Sequence, residues 1–257
     1  MLKISLFFLV VTCSIIFTVF YTIFQIFRPF DNQRLTSEGA VVFLGDSLTK
    51  ATISGSFISP LKKNGEYSNK DILNFGVNGL TTAGLLKKIE TIELKKDDQI
   101  FILIGTNDID QNMDIDLAVL NVEKVIQNLR QLTSNITLIT IPPLREEKTS
   151  IRNTQISKYN QLLKDISKKD QISLIDFHSE FSKLMDQSPL EFSFPFPLNY
   201  LEPGFINGYA HFILGKSFDQ MAKERGFDYF IDTIHLSQQG ADILSSILIR
   251  PLASISK

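Results

Sequence analysis

The first thirty residues of the chain form one long apolar run. No charged side chain occurs between Lys3 and Arg28. About 24 residues at about 1.5 Å each give about 36 Å of helix, which is enough to cross a bilayer with some tilt. A cleaved signal peptide has a shorter apolar region that ends at small residues. The pattern therefore predicts an uncleaved transmembrane signal anchor over residues 1–28 and a polar linker over residues 29–39.

Beyond residue 39, short apolar segments alternate with segments of helical periodicity. Apolar, β-branched runs predict five buried strands, over residues 40–45, 71–76, 98–105, 135–143 and 171–177. Amphipathic periodicity and polar caps predict helices over residues 80–94, 114–132, 150–169 and 237–252. Apolar strands separated by amphipathic helices indicate a parallel sheet covered on both faces. We therefore predict an α/β domain over residues 40–257, a flavodoxin-like three-layer α/β/α sandwich with a five-stranded parallel sheet.

Residues 183–231 interrupt this alternation. The segment 192–205, FSFPFPLNYLEPGF, is rich in aromatic side chains and proline, which are typical of non-repetitive structure. We interpret residues 183–231 as an irregular insertion near the carboxyl ends of the strands.

Charge and cysteine content narrow the possible partners. The formal net charge is −2, and no basic run is interleaved with aromatic residues, so the sequence predicts no nucleic-acid partner. Cys13 is the single cysteine, which excludes an intrachain disulfide. Arg28 and Arg34 on one side of the apolar run, against Lys3 on the other, slightly favour a cytoplasmic body.

Polar residues follow three of the predicted strands and precede the last helix. The four blocks are Gly45-Asp46-Ser47-Leu48, Asn74-Phe75-Gly76-Val77-Asn78-Gly79, Gly105-Thr106-Asn107-Asp108 and Asp232-Thr233-Ile234-His235. The carboxyl ends of parallel strands lie at one edge of a sheet, so the first three blocks are expected to converge.

These residue types suit acyl transfer, which needs a nucleophile, a base and a group that orients the base. Ser47 supplies a hydroxyl at a sharp turn after a buried strand, and His235 is the candidate base. Asp232 lies three residues before His235 and can accept a hydrogen bond from the other ring nitrogen. Asp176, at the end of the fifth predicted strand, is an alternative carboxylate. Each residue taken alone also fits a helix cap or a turn.

In this order, the four blocks resemble those of the SGNH hydrolases, also called the GDSL esterase/lipase family. The resemblance covers the chain from about residue 40 to its end but is specific only at the blocks. It implies a catalytic triad of Ser47, Asp232 and His235. It also implies an oxyanion hole of the Ser47 backbone amide, the Gly79 backbone amide and the Asn107 side-chain amide. Gly79, rather than Gly76, matches the glycine of the second family block because it lies five residues after Asn74.

Other motifs are interpreted as structural. Gly215-Lys216-Ser217 resembles the end of a phosphate-binding loop, but Ala210 stands where that loop needs glycine. The alternating acidic residues over 108–116 lack the glycine and glutamate of a calcium loop, so we predict a solvated loop with a helix cap. His178 and His211 have no partners at metal-ligand spacing. We therefore predict no metal and no cofactor. We assign Asp46 to backbone hydrogen bonds in its turn.

Together these observations predict a membrane-anchored serine ester hydrolase. The expected substrates are acyl or acetyl esters, either carbohydrate O-acyl groups or lysophospholipid-like lipids. The resemblance and the anchor favour an extracytoplasmic catalytic domain over the weak charge signal. An acyltransferase with the same triad and a non-catalytic glycan-binding module are the alternatives. The sequence does not indicate which oligomeric state the protein has.

Overall fold

The computed structural model describes residues 2–30, 32–36, 38–63, 70–145, 149–185 and 203–252. Most of the aromatic and proline-rich segment 192–205, from residue 192 to residue 202, lies outside the described residues.

Five parallel strands form a single sheet. They are β1 (Val41–Gly45), β2 (Ile72–Asn74), β3 (Gln99–Leu103), β4 (Ile136–Ile139) and β5 (Ser173–Ile175). Their order across the sheet is β2-β1-β3-β4-β5. This is the flavodoxin-like order, and it confirms the predicted fold class. Val41 lies opposite Ile72 on one side and opposite Gln99 on the other, so β1 is an interior strand of the sheet, and its residues are all buried.

Eleven α-helices lie in the described residues. They are α1 (Leu2–Phe27), α2 (Ser47–Lys50), α3 (Ile58–Lys63), α4 (Thr82–Lys88), α5 (Thr106–Asp110), α6 (Ile115–Arg130), α7 (Ile151–Asp170), α8 (Phe177–Met185), α9 (Pro203–Phe212), α10 (Phe218–Glu224) and α11 (Gln238–Leu252). A 3₁₀ turn over Ile89–Thr91 extends α4. The interval predicted to be irregular thus contains α9 and α10 in its described part.

Side-chain caps set the beginnings of the long helices. The Asp114 carboxylate accepts a hydrogen bond from the Leu117 amide and begins α6. Ser150 does the same for α7 by accepting from the Asn153 amide. The Ser237 hydroxyl accepts from the Gly240 amide at the start of α11. These caps satisfy amides that have no partner inside their helices, so the boundaries lie where the sequence predicts them.

The core beside β1 and β3 is aromatic. The Phe43 ring on β1 stacks on Phe101 of β3 with ring centroids 5.1 Å apart and meets Phe57 edge to face at 5.3 Å. Gly105 follows β3 with φ +124°, and a Cβ there would lie 2.5 Å from the buried Tyr159 ring. Only glycine fits at this position, so the chain turns sharply and α5 begins at the sheet edge.

Part of the segment predicted to be a polar linker is packed against the domain. Asn32 accepts from the Asn74 amide and donates to the Asn74 carbonyl through its side chain, both at 2.8 Å. Arg34 forms two hydrogen bonds to the buried Asp98 carboxylate, at 2.8 and 2.5 Å. Asp71 accepts from the backbone of Leu35 and Thr36 at 2.8 Å. Residues 32–36 therefore fix the path of the chain between α1 and the sheet.

Replacing Arg34 with glutamine is expected to lower the free energy of unfolding at pH 7 by about 3–5 kcal/mol, because it leaves the buried Asp98 charge unpaired. Burial raises the pKa of Asp98, but hydrogen bonds from Arg34 and the Lys95 amide outweigh it and hold the pKa below 3.8. The pairing therefore stabilises the fold above about pH 4 and is lost as the pH falls further.

Urea unfolding of the full-length protein in detergent micelles at pH 7 and at pH 3 measures this contribution. The difference between wild type and Arg34→Gln should shrink at the lower pH. Lys183→Gln is the matched control, because its pair with Glu180 is exposed and should contribute less than about 1 kcal/mol. Equal effects of the two substitutions would show that Arg34 does not hold residues 32–36 in place.

One helix, over Phe7–Phe27, is long and apolar enough to cross a membrane, and a membrane anchor and a signal sequence share these properties. Phe8, Phe17 and Phe20 are more than 60% exposed. In contrast, Thr22 and Ile26 are buried. The carboxyl-terminal turn of α1 is therefore packed against the domain.

Candidate active site

Ser47 begins α2 just after the interior strand β1. Asp46 is the helix cap and accepts a hydrogen bond from the Leu48 amide at 3.0 Å, which confirms the structural role predicted for it. A Cβ on Gly45 would lie 2.2 Å from the Leu103 carbonyl oxygen, so the strand ends in a tight turn. Ser47 is consequently held at the sheet edge.

The Asp46 carboxyl is fully buried beneath Ser47. Burial raises the pKa of Asp46 from 3.8 to about 7, and the hydrogen bond from Leu48 offsets only part of this rise. The Oδ2 atom of Asp46 has no hydrogen-bond partner among the described residues.

His235 lies between Ser47 and Asp232. Its Nε2 atom is 3.1 Å from the Ser47 Oγ atom, and its Nδ1 atom is 2.7 Å from the Asp232 Oδ2 atom. Both distances are within hydrogen-bond range, and all three residues are buried. The structure thus brings together the three residues that the sequence predicts as a triad, although Ser47 and His235 are 188 positions apart.

Asp232 is fixed by hydrogen bonds on both of its oxygens. Oδ1 accepts from the backbone amides of Ile234 and His235, each at 2.7 Å, so the short Asp-x-x-His turn itself orients the carboxylate. Burial raises the pKa of Asp232, but the interactions with His235 outweigh it, and the pKa lies below its ordinary value. Asp232 is therefore a carboxylate at neutral pH.

Sequence reasoning missed two residues behind this carboxylate. Asn207 on α9 donates to Asp232 Oδ2 at 2.6 Å, and Arg225 after α10 donates to the Asn207 side-chain oxygen at 2.8 Å and to the Ile231 carbonyl. Both lie in the interval interpreted as irregular. A buried asparagine in a short helix carries no sequence signal that would identify its partner.

The alternative carboxylate, Asp176, points elsewhere. It forms an ion pair with Lys164 at 2.6 Å and accepts from the Ser179 hydroxyl at 2.7 Å. Burial raises the pKa of Asp176, and the bonds from Lys164 and Ser179 lower it below its ordinary value. The structure thus places Asp232, and not Asp176, against the histidine.

Gly79 and Asn107 lie at the ends of the neighbouring strands. Gly79 has φ +73°, which favours glycine, and no described atom lies within 4 Å of the position a Cβ would take. The Asn107 Nδ2 atom donates one hydrogen bond to the Leu80 carbonyl at 3.0 Å. An amide nitrogen carries two N–H groups, so this bond orients the side chain and leaves a second donor.

A buried carboxylate ties these two strand ends together. Asp108 accepts from the Thr82 amide at 2.9 Å and from the Thr82 hydroxyl at 2.6 Å. Burial raises the pKa of Asp108. The predicted solvated loop is therefore wrong for Asp108, because the residue lies in α5 and is fully buried. Asp114 is the predicted helix cap.

A cavity of about 360 Å³ lies over these groups. The cavity is lined by Ser47 and His235 and by the candidate oxyanion residues Gly79 and Asn107. The other lining residues are Phe27, Ile53, Asn78, Asp110, Arg152, Gly204, Asp232, Thr233 and Ile234. The cavity has a polar side, where Arg152 pairs with Asp110 at 2.6 Å. The lining also has an apolar part, where Ile53 lies next to Gly204 of α9.

The remaining motifs occupy structural positions. Ser217 caps α10 by accepting from the Gln220 amide, and Gly215 has φ +67°, as expected of a turn before a helix. His211 stacks on Phe218 with centroids 4.4 Å apart. Burial lowers the pKa of His178. Within the described residues, no group of three His, Cys, Asp or Glu side chains is placed to hold a metal ion.

Comparisons with known proteins identify a matching family and similar folds. The profile of the GDSL-like Lipase/Acylhydrolase family matches residues 43–196. A G-D-S-L family protein of Veillonella parvula is structurally similar, with a TM-score of 0.60 and 16% identity over 83% of this chain and 98% of that one. A Streptococcus pneumonia protein named in connection with platelet activating factor has a TM-score of 0.57 and 25% identity over 90% of this chain and 89% of that one.

An acetylxylan esterase of Geobacillus stearothermophilus has a TM-score of 0.57 and 17% identity over 85% of this chain and 95% of that one. At this identity the likeness shows the shared fold alone. A comparison with curated protein sequences gave no match.

Proposed function

Because the chain belongs to the GDSL-like lipase/acylhydrolase family and is a carboxylic ester hydrolase, we propose that Ser47, His235 and Asp232 are its catalytic triad. One observation carries this proposal. A single imidazole contacts the serine hydroxyl through Nε2 at 3.1 Å and a buried carboxylate through Nδ1 at 2.7 Å. That arrangement opens onto a cavity at the sheet edge.

The reaction follows from the positions of the protons. Ser47 Oγ attacks the ester carbonyl carbon as His235 Nε2 takes the hydroxyl proton. The carbonyl π pair moves to the oxygen, and the alcohol leaves with the proton that His235 returns. Water then attacks the acyl-serine in the same way and releases the acid. Asp232 accepts from Nδ1, fixes the tautomer and stabilises the imidazolium that forms at each step.

The oxyanion needs preorganised donors, and Ser47, Gly79 and Asn107 all line the cavity. The backbone amides of Ser47 and Gly79 and the second N–H of Asn107 are assigned this role. The hydrogen bond from Asn107 to the Leu80 carbonyl supports the assignment, because it fixes the side chain before substrate arrives. Donors that are already oriented need no reorganisation when charge develops, which is why they are effective.

Replacing Asn107 with alanine is expected to lower kcat by about 10²–10³ with little change in KM, because the donor acts on charge that exists only in the transition state. Steady-state kinetics with p-nitrophenyl acetate measures both constants. Asn121→Ala is the matched control: its buried amide donates to Thr82 at 3.2 Å and does not line the cavity. A rise in KM at constant kcat would instead make Asn107 a ground-state binding residue.

The proposed substrates are acyl or acetyl esters, of carbohydrates or of lysophospholipid-like lipids, and among these we favour esters with a short acyl group. A cavity of about 360 Å³ supports a small acyl group. The structural likeness to an acetylxylan esterase is consistent with a carbohydrate ester.

A panel of p-nitrophenyl esters from acetate to decanoate, together with acetylated xylo-oligosaccharide and lysophosphatidylcholine, tests this class with the full-length protein. Turnover that falls with acyl length is the expected result. Turnover of lysophosphatidylcholine alone would replace the short-acyl proposal. Adding sugar acceptors should leave the rate of acid release unchanged, whereas transfer faster than hydrolysis would identify an acyltransferase.

We also assign α1 to a retained membrane anchor with the catalytic domain on the extracytoplasmic side. Burial of Thr22 and Ile26 against the domain supports retention, because removal of the helix would expose these contacts.

The protein should therefore stay in the membrane pellet after a carbonate wash, with residue 1 or 2 as its amino terminus. A peripheral control protein should be released by the same wash. Protease added to intact cells should digest the domain. An amino terminus near residue 30 would contradict the retained anchor, and a protected domain would contradict the extracytoplasmic side.

A further inference from the structure

The carboxyl-terminal end of α1 is bound by Thr52 and Asn78, which lie in the turns after α2 and β2. The last carbonyls of a helix have no partner within the helix and are usually satisfied by water or caps. Here the Ile26 carbonyl accepts from the Thr52 hydroxyl and from the Asn78 side-chain amide, both at 3.0 Å. The same Asn78 amide lies 3.2 Å from the Thr52 Oγ atom. Asn78 directly precedes Gly79, whose amide is assigned to the oxyanion hole.

Two further contacts join α1 to the elements of the triad. Gly208 of α9 meets Ile26 so closely that a Cβ there would lie 2.5 Å from its side chain. Asn207, the residue directly before Gly208, donates to Asp232. The Lys50 ammonium, at the end of the helix that Ser47 begins, lies 5.7 Å from the Phe27 ring centroid, within cation–π range.

Phe27 itself lines the cavity. The cavity is also lined by Ile53 and Gly204, which lie next to each other, and by the polar pair of Asp110 and Arg152. An acyl chain is apolar, whereas the alcohol half of a carbohydrate or lipid ester carries polar atoms. The side formed by α1 and α9 therefore suits the acyl chain.

We propose that the last turn of α1 is a component of the active site. Asn78 and Thr52 are positioning residues that join the Ile26 carbonyl to the turn containing Gly79, and Phe27 limits the length of the acyl chain. The proposal extends the function proposed above, on which its kinetic consequences rest. The helix thus has a role in catalysis in addition to any role in anchoring.

Acyl-length preference tests the role of Phe27. In the full-length protein in detergent micelles, Phe27→Ala should raise the octanoate-to-acetate ratio of kcat/KM for p-nitrophenyl esters by about tenfold, because each added methylene gains a place in the enlarged pocket. Phe24→Ala is the matched control: Phe24 lies on the same helix and is exposed to the same degree, 63% against 61% for Phe27, but does not line the cavity. The control should leave the ratio unchanged. Equal ratios in Phe27→Ala and wild type would overturn this role.

Hydrogen exchange tests the contact between the helix and the turn without relying on turnover. Asn78→Ala and the isosteric Thr52→Val should both speed amide exchange over residues 24–28 and at 79–80, and leave exchange over residues 9–16 unchanged. Each should lower kcat severalfold with KM nearly constant, because a displaced donor weakens transition-state binding. Unchanged exchange at residues 24–28 in both variants would overturn the proposal.

The two measurements separate this inference from the proposed function. A wild-type protein that hydrolyses no ester would contradict the proposed function, and the exchange data would still decide whether Asn78 and Thr52 hold the helix end. An active wild type with normal exchange in both variants would contradict the inference alone.

Discussion

Ser47→Ala is expected to lower kcat for p-nitrophenyl acetate by about 10⁶-fold, because no other group can form the acyl intermediate in this geometry. His235→Ala should cost about as much, since the 3.1 Å contact between Nε2 and the Ser47 hydroxyl supplies the base. The double variant should be no slower than either single variant, because the two residues act as one unit. The remaining rate reflects the oxyanion donors and binding.

Ser245→Ala is the matched control for these substitutions. Ser245 is buried in α11, and its hydroxyl has no hydrogen-bond partner among the described residues. This variant should keep wild-type kcat and stability. Additive losses in the Ser47 and His235 double variant would mean that the two residues act in separate steps.

Asp232→Asn is expected to lower kcat by about 10⁴-fold, because an amide at this position favours the wrong histidine tautomer and cannot stabilise the imidazolium. Asp176→Asn is the matched control. Asp176 directly follows β5, but it pairs with Lys164 at 2.6 Å. The Asp176→Asn variant should therefore keep kcat within about twofold of wild type. The opposite ranking of the two variants would assign the supporting carboxylate to Asp176.

The same substitution has a consequence for stability. Because the folded-state pKa of Asp232 is lowered, its ionised form stabilises the fold above the pKa of the unfolded chain and loses this effect as the pH falls through the folded pKa. Asp232→Asn should therefore be less stable than wild type at pH 7, and the two should approach each other below about pH 4. Thermal unfolding at both pH values measures the difference.

The parts of the fold that the sequence predicts are those with a repeated pattern. Continuous apolar runs mark all five strands, and amphipathic periodicity with caps at Asp114, Ser150 and Ser237 marks long helices. In contrast, α2 has four residues and α5 has five, which is too short for a periodic signal. These short helices begin at Ser47 and Thr106, next to the site, so the least predictable elements lie closest to the chemistry.

Long-range polar contacts were also beyond sequence reasoning. Because the carboxyl ends of parallel strands share one edge, the sequence predicts that the blocks containing Ser47, Gly79 and Asn107 converge. The placement of Asp232 and His235 beside Ser47 follows from the family resemblance alone, because their block precedes a helix and follows no predicted strand. The resemblance favours Asp232 over Asp176, and the coordinates add the contacts that distinguish the two: Asp232 contacts His235, whereas Asp176 pairs with Lys164. Residues 32–36 look like a solvated linker because they are polar, yet Asn32 and Arg34 find partners 42 and 64 positions away.

The central claim is that Ser47 is an activated nucleophile beside an oxyanion hole, and labelling with a small fluorophosphonate tests it most directly. The reagent phosphorylates a serine rapidly only where a base activates the hydroxyl and donors receive the phosphoryl oxygen. The full-length protein in detergent micelles should take up one label, which peptide mass mapping should locate at Ser47. Labelling should be absent in Ser47→Ala, strongly slowed in His235→Ala and unchanged in Ser245→Ala. A folded wild-type protein that remains unlabelled, or a label on another serine, would contradict the account.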